Sequence, residues 1–352
     1  MRKFKFLLFI TLIAWFPSCN DELAEDATPE TEKTSALALR EEKTQDDVDL
    51  PRIVDDRLYF ESFEAMNDFL KAYLQLPPEY LDAKSRERGF ISWHDVLEAE
   101  DEGTNIPREL NNRTDTQLED PRFTRILNYN QEIKVDKLIY RVEDEFVFIY
   151  VDGYYDQVAR FKASGAGENL EYDKPVLINS KLIVGKLRRE ISVESGRLNV
   201  WVFGFGIRRS NDYDNFTSKR RMKSTHWATN VYFYKSAGMK TKLQRRSGLI
   251  WKGLKAQNIV VSGQVHFSIK YPGDDFEGNQ IQFVHTSNNN SKTATHTIFA
   301  AGGFGVKISD NDILGISGVP GAKYTIKNIS HSYHSAQYQN INKNRGPKNW
   351  PW

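Results

Sequence analysis

A chain of 352 residues with a single cysteine, Cys19, has no intramolecular disulfide to hold it together. The same count excludes a thiolate zinc or iron–sulfur site. If that thiol is committed elsewhere, no cysteine nucleophile is left either. Stability must then come from buried apolar side chains, and the chain is long enough for one or two such cores. What it can fold into is therefore decided by where apolar residues recur, and at what period.

From Leu58 the period is helical at first. Phe63, Met66, Phe69, Leu70, Tyr73 and Leu74 share a helix face behind Ser62, a residue suited to capping, and Pro77-Pro78 ends the run. A second helix is predicted over residues 79–88, with Gly89 as its stop. Ser92 and Asp95 have capping-box spacing for a third, and Asp120-Pro121 opens a short fourth over residues 123–127. Period two then takes over. Ile133 and Val135, then Leu138, Tyr140 and Val142, then Phe146, Phe148 and Tyr150 alternate with residues of the opposite face, and turns at 136–137 and 143–145 predict an antiparallel meander. Residues 164–167 read as a linker.

Beyond that point nearly everything reads as strand. Residues 176–184, 198–205, 231–234, 259–261, 265–271, 281–285, 297–301, 304–308 and 324–329 are candidates, many separated by Gly, Asn, Asp or Pro. The expected fold class is α+β: a small helical and antiparallel-β N-terminal region followed by a mainly antiparallel, β-sandwich-like domain. The corresponding division is 58–170 and 171–340, with a basic, aromatic tail at 341–352 that stays mobile unless docked.

The N-terminus reads as an address. Arg2, Lys3 and Lys5 precede an apolar run over residues 6–16, too short for a bilayer-spanning helix, which needs about 20 residues, and matched to a signal-peptide core. Pro17 breaks it and Ser18-Cys19 comes next. Residues 16–19 resemble the lipobox of bacterial lipoproteins, in which a diacylglycerol is joined to the cysteine thiol and cleavage falls just before it. The resemblance implies a signal peptide over 1–18, lipidation at Cys19 and attachment to the bacterial outer membrane, with the membrane as partner. Asn20-Asp21-Glu22 is similar to the acidic stretch that follows the cysteine in surface-exported lipoproteins of Bacteroidetes-type bacteria.

Charge divides the chain from Cys19 onward. Residues 19–170 hold 18 Lys and Arg against 36 Asp and Glu, a net −18, whereas residues 171–352 hold 27 against 11, a net +16. The halves either attract each other or leave the basic one facing an anionic partner. Residues 19–57 carry little apolar periodicity and no aromatic residue, and read as a disordered tether with a root-mean-square reach of roughly 35 Å.

A wider resemblance rests on Phe60-Glu61-Ser62-Phe63, Gly89-Phe90-Ile91-Ser92, Ile126-Leu127-Asn128, Ile133-Lys134-Val135 and Leu138-Ile139-Tyr140, with Trp227 and Gly248-Leu249-Ile250-Trp251 downstream. Over residues 58–335 this order resembles lipoproteins of Bacteroidetes-type bacteria that have no assigned activity. They pair such an N-terminal region with a β-rich C-terminal domain, so the resemblance implies location and architecture, not chemistry.

Motifs for chemistry are sparse. His331 and His334 fall on opposite faces of a strand, His266 is expected in solvent, and His285 could meet His296 only across a hairpin. Asp310-Asn311-Asp312 begins like a calcium loop but lacks its later ligands, and 274–277 is a second acidic loop. The glycine clusters fit neither a dinucleotide loop nor a nucleophile elbow, and no nucleic-acid motif is present. No cofactor and no metal are expected, and no catalytic residue is assigned.

One stretch rises above this background. Lys219, Arg220, Arg221 and Lys223 are followed by Lys240, Lys242, Arg245 and Arg246, with Trp227 and Trp251 among them. Such a cluster suits an anionic polymer or an acidic protein partner, gripped by charge and stacked on aromatic rings. The plainer reading is a solvated basic face over a core that owns the aromatics. The expected function is that of a lipid-anchored surface protein acting by binding. A hydrolase with a dispersed site, and a structural envelope or fimbria-associated component, are the alternatives.

Overall fold

The computed structural model describes residues 50–74, 76, 78–102, 118–143, 145–172, 174–193, 206–270, 278–302, 306–309, 311–316 and 323–351. Among them the chain is mixed α+β with a β-rich body, as the periodicities predict. No helix among the described residues is long and apolar enough to cross a membrane. Residues 1–49, including Cys19, and the candidate strand at 198–205 lie outside the described residues.

Among the described residues the first sheet has seven strands. β1 (Arg52–Val54) and β2 (Arg57–Phe60) precede α1 (Phe63–Leu74), α2 (Pro78–Glu87), α3 (Trp93–Glu102) and α4 (Pro121–Ile126). Then come β3 (Glu132–Val135), β4 (Leu138–Glu143), β5 (Phe146–Val151), α5 (Asp156–Ala163), β6 (Val176–Asn179) and β7 (Leu182–Lys186), in the order β1-β2-β3-β4-β5-β7-β6. Among the described strands of this sheet, β2 and β3 are the parallel pair, and parallel neighbours need a crossover, which α1 to α4 supply.

The helix ends reflect local chemistry. Ser62 Oγ accepts from the Ala65 amide at 3.1 Å. Gly89 takes φ +74°, where a side chain is disfavoured, and Phe90 N–H closes back on Ser85 O at 2.9 Å. Ser92 and Asp95 cap each other: Ser92 N–H donates to Asp95 Oδ2 at 2.9 Å, and Asp95 N–H to Ser92 Oγ at 3.1 Å.

Alternation puts apolar residues on both faces of this sheet. Ile133, Val135, Leu138, Tyr140, Val142, Val147, Ile149 and Val151 pack with Met66, Leu70, Tyr73 and Phe123 of the helices. Ile139, Phe148, Tyr150, Leu182 and Val184 face the other way, against Val158 and Phe161 of α5. Helix α5 is unannounced in the meander pattern because only two of its residues are buried. Residues 164–167 are not a free linker: Gly167 lies under the Phe146 ring, and Lys186 Nζ donates to its carbonyl at 3.3 Å. The folded body also begins before Leu58. Ile53 packs on the core, and buried Arg57 pairs with Glu132 at 2.7 Å.

The rest is two facing sheets. One contains β8 (Arg188–Val193), β9 (Gly206–Thr217), β10 (Arg220–Asn230), β11 (Tyr234–Ser247) and β12 (Ile250–Gly253). The other contains β13 (Ala256–Lys270) and β14 (Gly278–Ser291). β15 (Thr293–Gly302) returns to the first and pairs with β11; a small ribbon of β16 (Val306–Ile308) and β17 (Leu314–Ile316) comes after it. β18 (Lys323–Tyr338) and β19 (Ile341–Pro351) complete the second sheet, in the order β14-β13-β18-β19. The segment from residue 341 is therefore docked as a strand. Met222, Ala228, Met239 and Leu243 of one sheet meet Ile259, Val261, Ile329 and Ala336 of the other.

The candidate strand at 231–234 is instead the connection between β10 and β11. Tyr232 takes φ +62° there, and Val231, Tyr232 and Phe233 are fully buried with Tyr234, which opens β11. They enter the core of the seven-stranded sheet, where the Tyr234 ring stacks on Phe123 at 3.9 Å. The apolar run is buried, but by insertion into a neighbouring core and not by strand pairing.

Candidate functional site

Facing residues of neighbouring strands share a sheet face. Trp227, Gly238 and Thr297 are aligned across β10, β11 and β15, as are Thr225, Lys240 and Thr295, and Lys223, Lys242 and Thr293. β9 adds Arg209 opposite Trp227 and Tyr213 opposite Lys223. This face is polar and basic, while the alternate residues form the apolar core between the sheets. It looks toward the helices and leaves a cleft of about 1210 Å³ lined by Trp93, Leu97, Lys223, Lys240, Lys242 and Trp251, among others.

Two consecutive acidic residues join the helical layer to this face. Asp120 is fully buried. Its Oδ1 accepts from Arg122 N–H at 2.9 Å, capping α4, and from the Thr297 hydroxyl at 2.7 Å, while Oδ2 accepts from the Tyr234 hydroxyl at 2.6 Å. Burial, with Asp120 beside it, pushes the Tyr234 phenol far above its ordinary value.

Glu119 points the other way, into the basic residues. Its carboxylate meets Arg209 at 2.7 Å, Lys223 at 3.6 Å and Lys240 in a closer contact. Burial alone would raise its pKa, but Lys240, Lys223 and Arg209 together hold it well below the carboxylate range. Lys223 shows the opposite balance. Burial, with Lys240, Arg209 and Lys242 nearby, outweighs Glu119 and lowers its ammonium to about 8. Three cations share one carboxylate, so the floor of the cleft keeps an excess of positive charge.

Of the basic and aromatic residues singled out in the sequence, Lys223, Lys240, Lys242 and Trp251 line the cleft. Arg221 sits between the rings of Tyr213 and Trp251, at 4.1 and 4.0 Å, and its Nε donates to Gln244 at 2.9 Å. Arg220 lies on the other face, 4.9 Å over the Tyr338 ring. Lys219, Arg245 and Arg246 are exposed at two hairpin ends. Trp227 is completely buried and packs over Gly238, where an added Cβ would lie 2.0 Å from the indole, so it presents no surface to a ligand. Cys19 lies outside the described residues. Glu119 and Arg209 are the additions to that cluster. The period-two pattern holds a signal for Arg209, but nothing local pairs Glu119 with the basic residues.

Among the described residues no group of three His, Cys, Asp or Glu is placed to hold a metal ion. His331 is exposed and His334 buried, so they do point apart. His285 is exposed, and His296 Nδ1 lies 3.1 Å from Thr286 Oγ1. His266 is not free in solvent as expected: it is half-buried, with Nε2 2.8 Å from Ser330 Oγ. His226 and His334 instead meet between the two sheets, Nε2 to Nε2 at 3.1 Å, with Thr241 on the Nδ1 of His334 at 2.8 Å. Asp310 and the acidic loop at 274–277 lie outside the described residues.

No family model matches the chain, and no curated protein matches it. A solved structure to which it is similar is a DUF4848 family protein from Bacteroides thetaiotaomicron VPI-5482. The alignment covers 85% of this chain and 96% of that one, at 9% identity and a TM-score of 0.20, a likeness too slight to support any statement on fold or function.

Proposed function

We propose that this chain is a non-enzymatic binding protein of the bacterial cell surface, anchored through lipid on Cys19, and that an anionic ligand enters the basic cleft. The carrying observation is the charge imbalance at Glu119: Arg209, Lys223 and Lys240 converge on one carboxylate, with Lys242 beside them. Like charges held together in a half-buried site repel, and an anion relieves that repulsion. The cleft exceeds the ordinary small-molecule pocket, about 300–1000 Å³, which favours a segment of an anionic polymer or an acidic protein loop over a single small ion.

Dextran sulfate is a suitable probe, with neutral dextran as control, titrated into the full chain across a salt series. Affinity is expected to fall at least about tenfold between low and physiological salt. Lys242→Glu is expected to weaken binding by a similar factor. Absence of binding at low salt would sink the proposal. Ligand entry also favours the charged form of Lys223, so near pH 8 binding should take up a proton, read as a dependence of calorimetric heat on buffer ionisation enthalpy.

The anchor is tested separately. Two or more acyl chains hold a protein on a membrane stably, whereas one does so marginally. In a lipoprotein-processing bacterium the wild type should fractionate with membranes and Cys19→Ala should not; equal retention of both ends that part of the proposal.

A further inference from the structure

The cleft does not account for the hairpin tip at its rim. β11 and β12 are joined through Gly248, at φ +62°, and Leu249. Leu249 is 89% exposed, the most of any large apolar residue among the described ones, and Ile250 is 62% exposed. The β9–β10 turn lies alongside, held by Arg246 N–H donating to Lys219 O at 2.8 Å. The paired tips thus carry two neighbouring apolar side chains at the apex. Lys219, Arg245 and Arg246 are exposed just behind it, with Arg220 half-buried. Among the described residues neither Arg245 nor Arg246 forms an ion pair with a carboxylate. At the turn itself a polar residue would serve in place of Leu249 equally well.

We infer that this double tip is a membrane-contact element: Leu249 and Ile250 enter the boundary of a bilayer while Lys219, Arg220, Arg245 and Arg246 rest on anionic headgroups. The shape selects a bilayer over a protein partner. The apolar residues stand on a convex apex, which a fluid surface receives without a complementary pocket. Arg246 precedes Leu249 by three residues, at most roughly 10 Å of strand. That matches the depth of about 5–10 Å to which interfacial elements bury their apolar side. Near an anionic surface each cation adds to the attraction, so the apolar and charged parts act together. Ile250 also borders the cleft, so the tip adjoins it, while the contact is separate from the lipid on Cys19.

The lone cysteine makes the test direct. In the full chain, Cys19→Ala with Leu249→Cys leaves one thiol, at the apex, for an environment-sensitive fluorophore. Cys19→Ala with Ile313→Cys gives a reference at an exposed residue beside β17. On vesicles of phosphatidylcholine mixed with phosphatidylglycerol, the label at 249 should shift to the blue and be quenched by lipid-borne quenchers, and the label at 313 should not. Adding Arg245→Glu and Arg246→Glu should raise the lipid concentration needed at least about tenfold, with unchanged thermal melting. Lys242→Glu, in the cleft, should leave insertion intact. No shift at 249, an equal shift on phosphatidylcholine alone, or an equal shift at 313 overturns the inference. So does a shift without vesicles that tracks dimer formation, which would assign the tip to a second copy of this chain.

Discussion

At the scale of single residues, neighbours in sequence have separate tasks. Asp120 is a structural acceptor for three donors, while Glu119 compensates charge. The Glu119 carboxyl is depressed in the fold and has an ordinary pKa near 4.3 when unfolded. In acid the unfolded chain therefore binds more protons than the folded one. The stabilisation is complete above about pH 5 and is lost as pH falls through the carboxylate range. Glu119→Gln should remove that part of the acid dependence and cost roughly 3 kcal/mol at neutral pH, since it leaves the cations without their counter-charge. Urea unfolding at several pH values measures both; an unchanged acid slope rejects the assignment.

Lys223 predicts a dependence of the same sign at alkaline pH. Its folded pKa of about 8 lies below the unfolded value near 10.4, so between them the unfolded chain again holds more protons. Stability should climb as pH rises through that window, and Lys223→Met should flatten the climb. A Met variant whose urea midpoint rises as much as the wild type's over this window would contradict the role given to burial and the neighbouring cations.

At the scale of elements, starts, stops and alternation were legible because their causes are local. The capping pair Ser92 and Asp95 needs only a spacing of three. Ser92→Ala should cost about 1 kcal/mol, read as a lowered urea midpoint. What alternation does not supply is which row faces which neighbour. The register Tyr140↔Ile149 sends Val147, Ile149 and Val151 to the helices and the Phe148 row to α5. On β10 it divides the basic run, with Arg221 and Lys223 on the cleft face and Arg220 behind. Gly238 carries the same lesson, because the need for a missing side chain appears only when Trp227 is laid across it. Gly238→Ala should destabilise by about 1–3 kcal/mol through overpacking. Thermal unfolding indistinguishable from wild type would show that the indole has room to move.

At the scale of the whole molecule, the acidic and basic halves meet. Part of the basic charge is satisfied internally: Glu119 serves Arg209, Lys223 and Lys240, and Glu102 serves Lys292. The apolar connection at 231–233, with Tyr234, sits in the core of the first sheet, and β7 pairs with β5. A fragment of residues 171–352 is therefore expected to lack a cooperative melt and to bind an apolar dye. A sharp, two-state transition of that fragment would show that its own sheets suffice.

The division between what was readable and what was not tracks the range of the forces. Helix caps, the meander, the α+β class and the position of the basic run depend on residues a few places apart, so the sequence by itself determined them. The use of 231–234 as a buried connection, the pairing of His226 with His334 and the meeting of Glu119 with three distant cations were decided by tertiary structure. Each joins residues whose separation in sequence carries no period, and each exists only because burial brings together groups that the chain holds far apart.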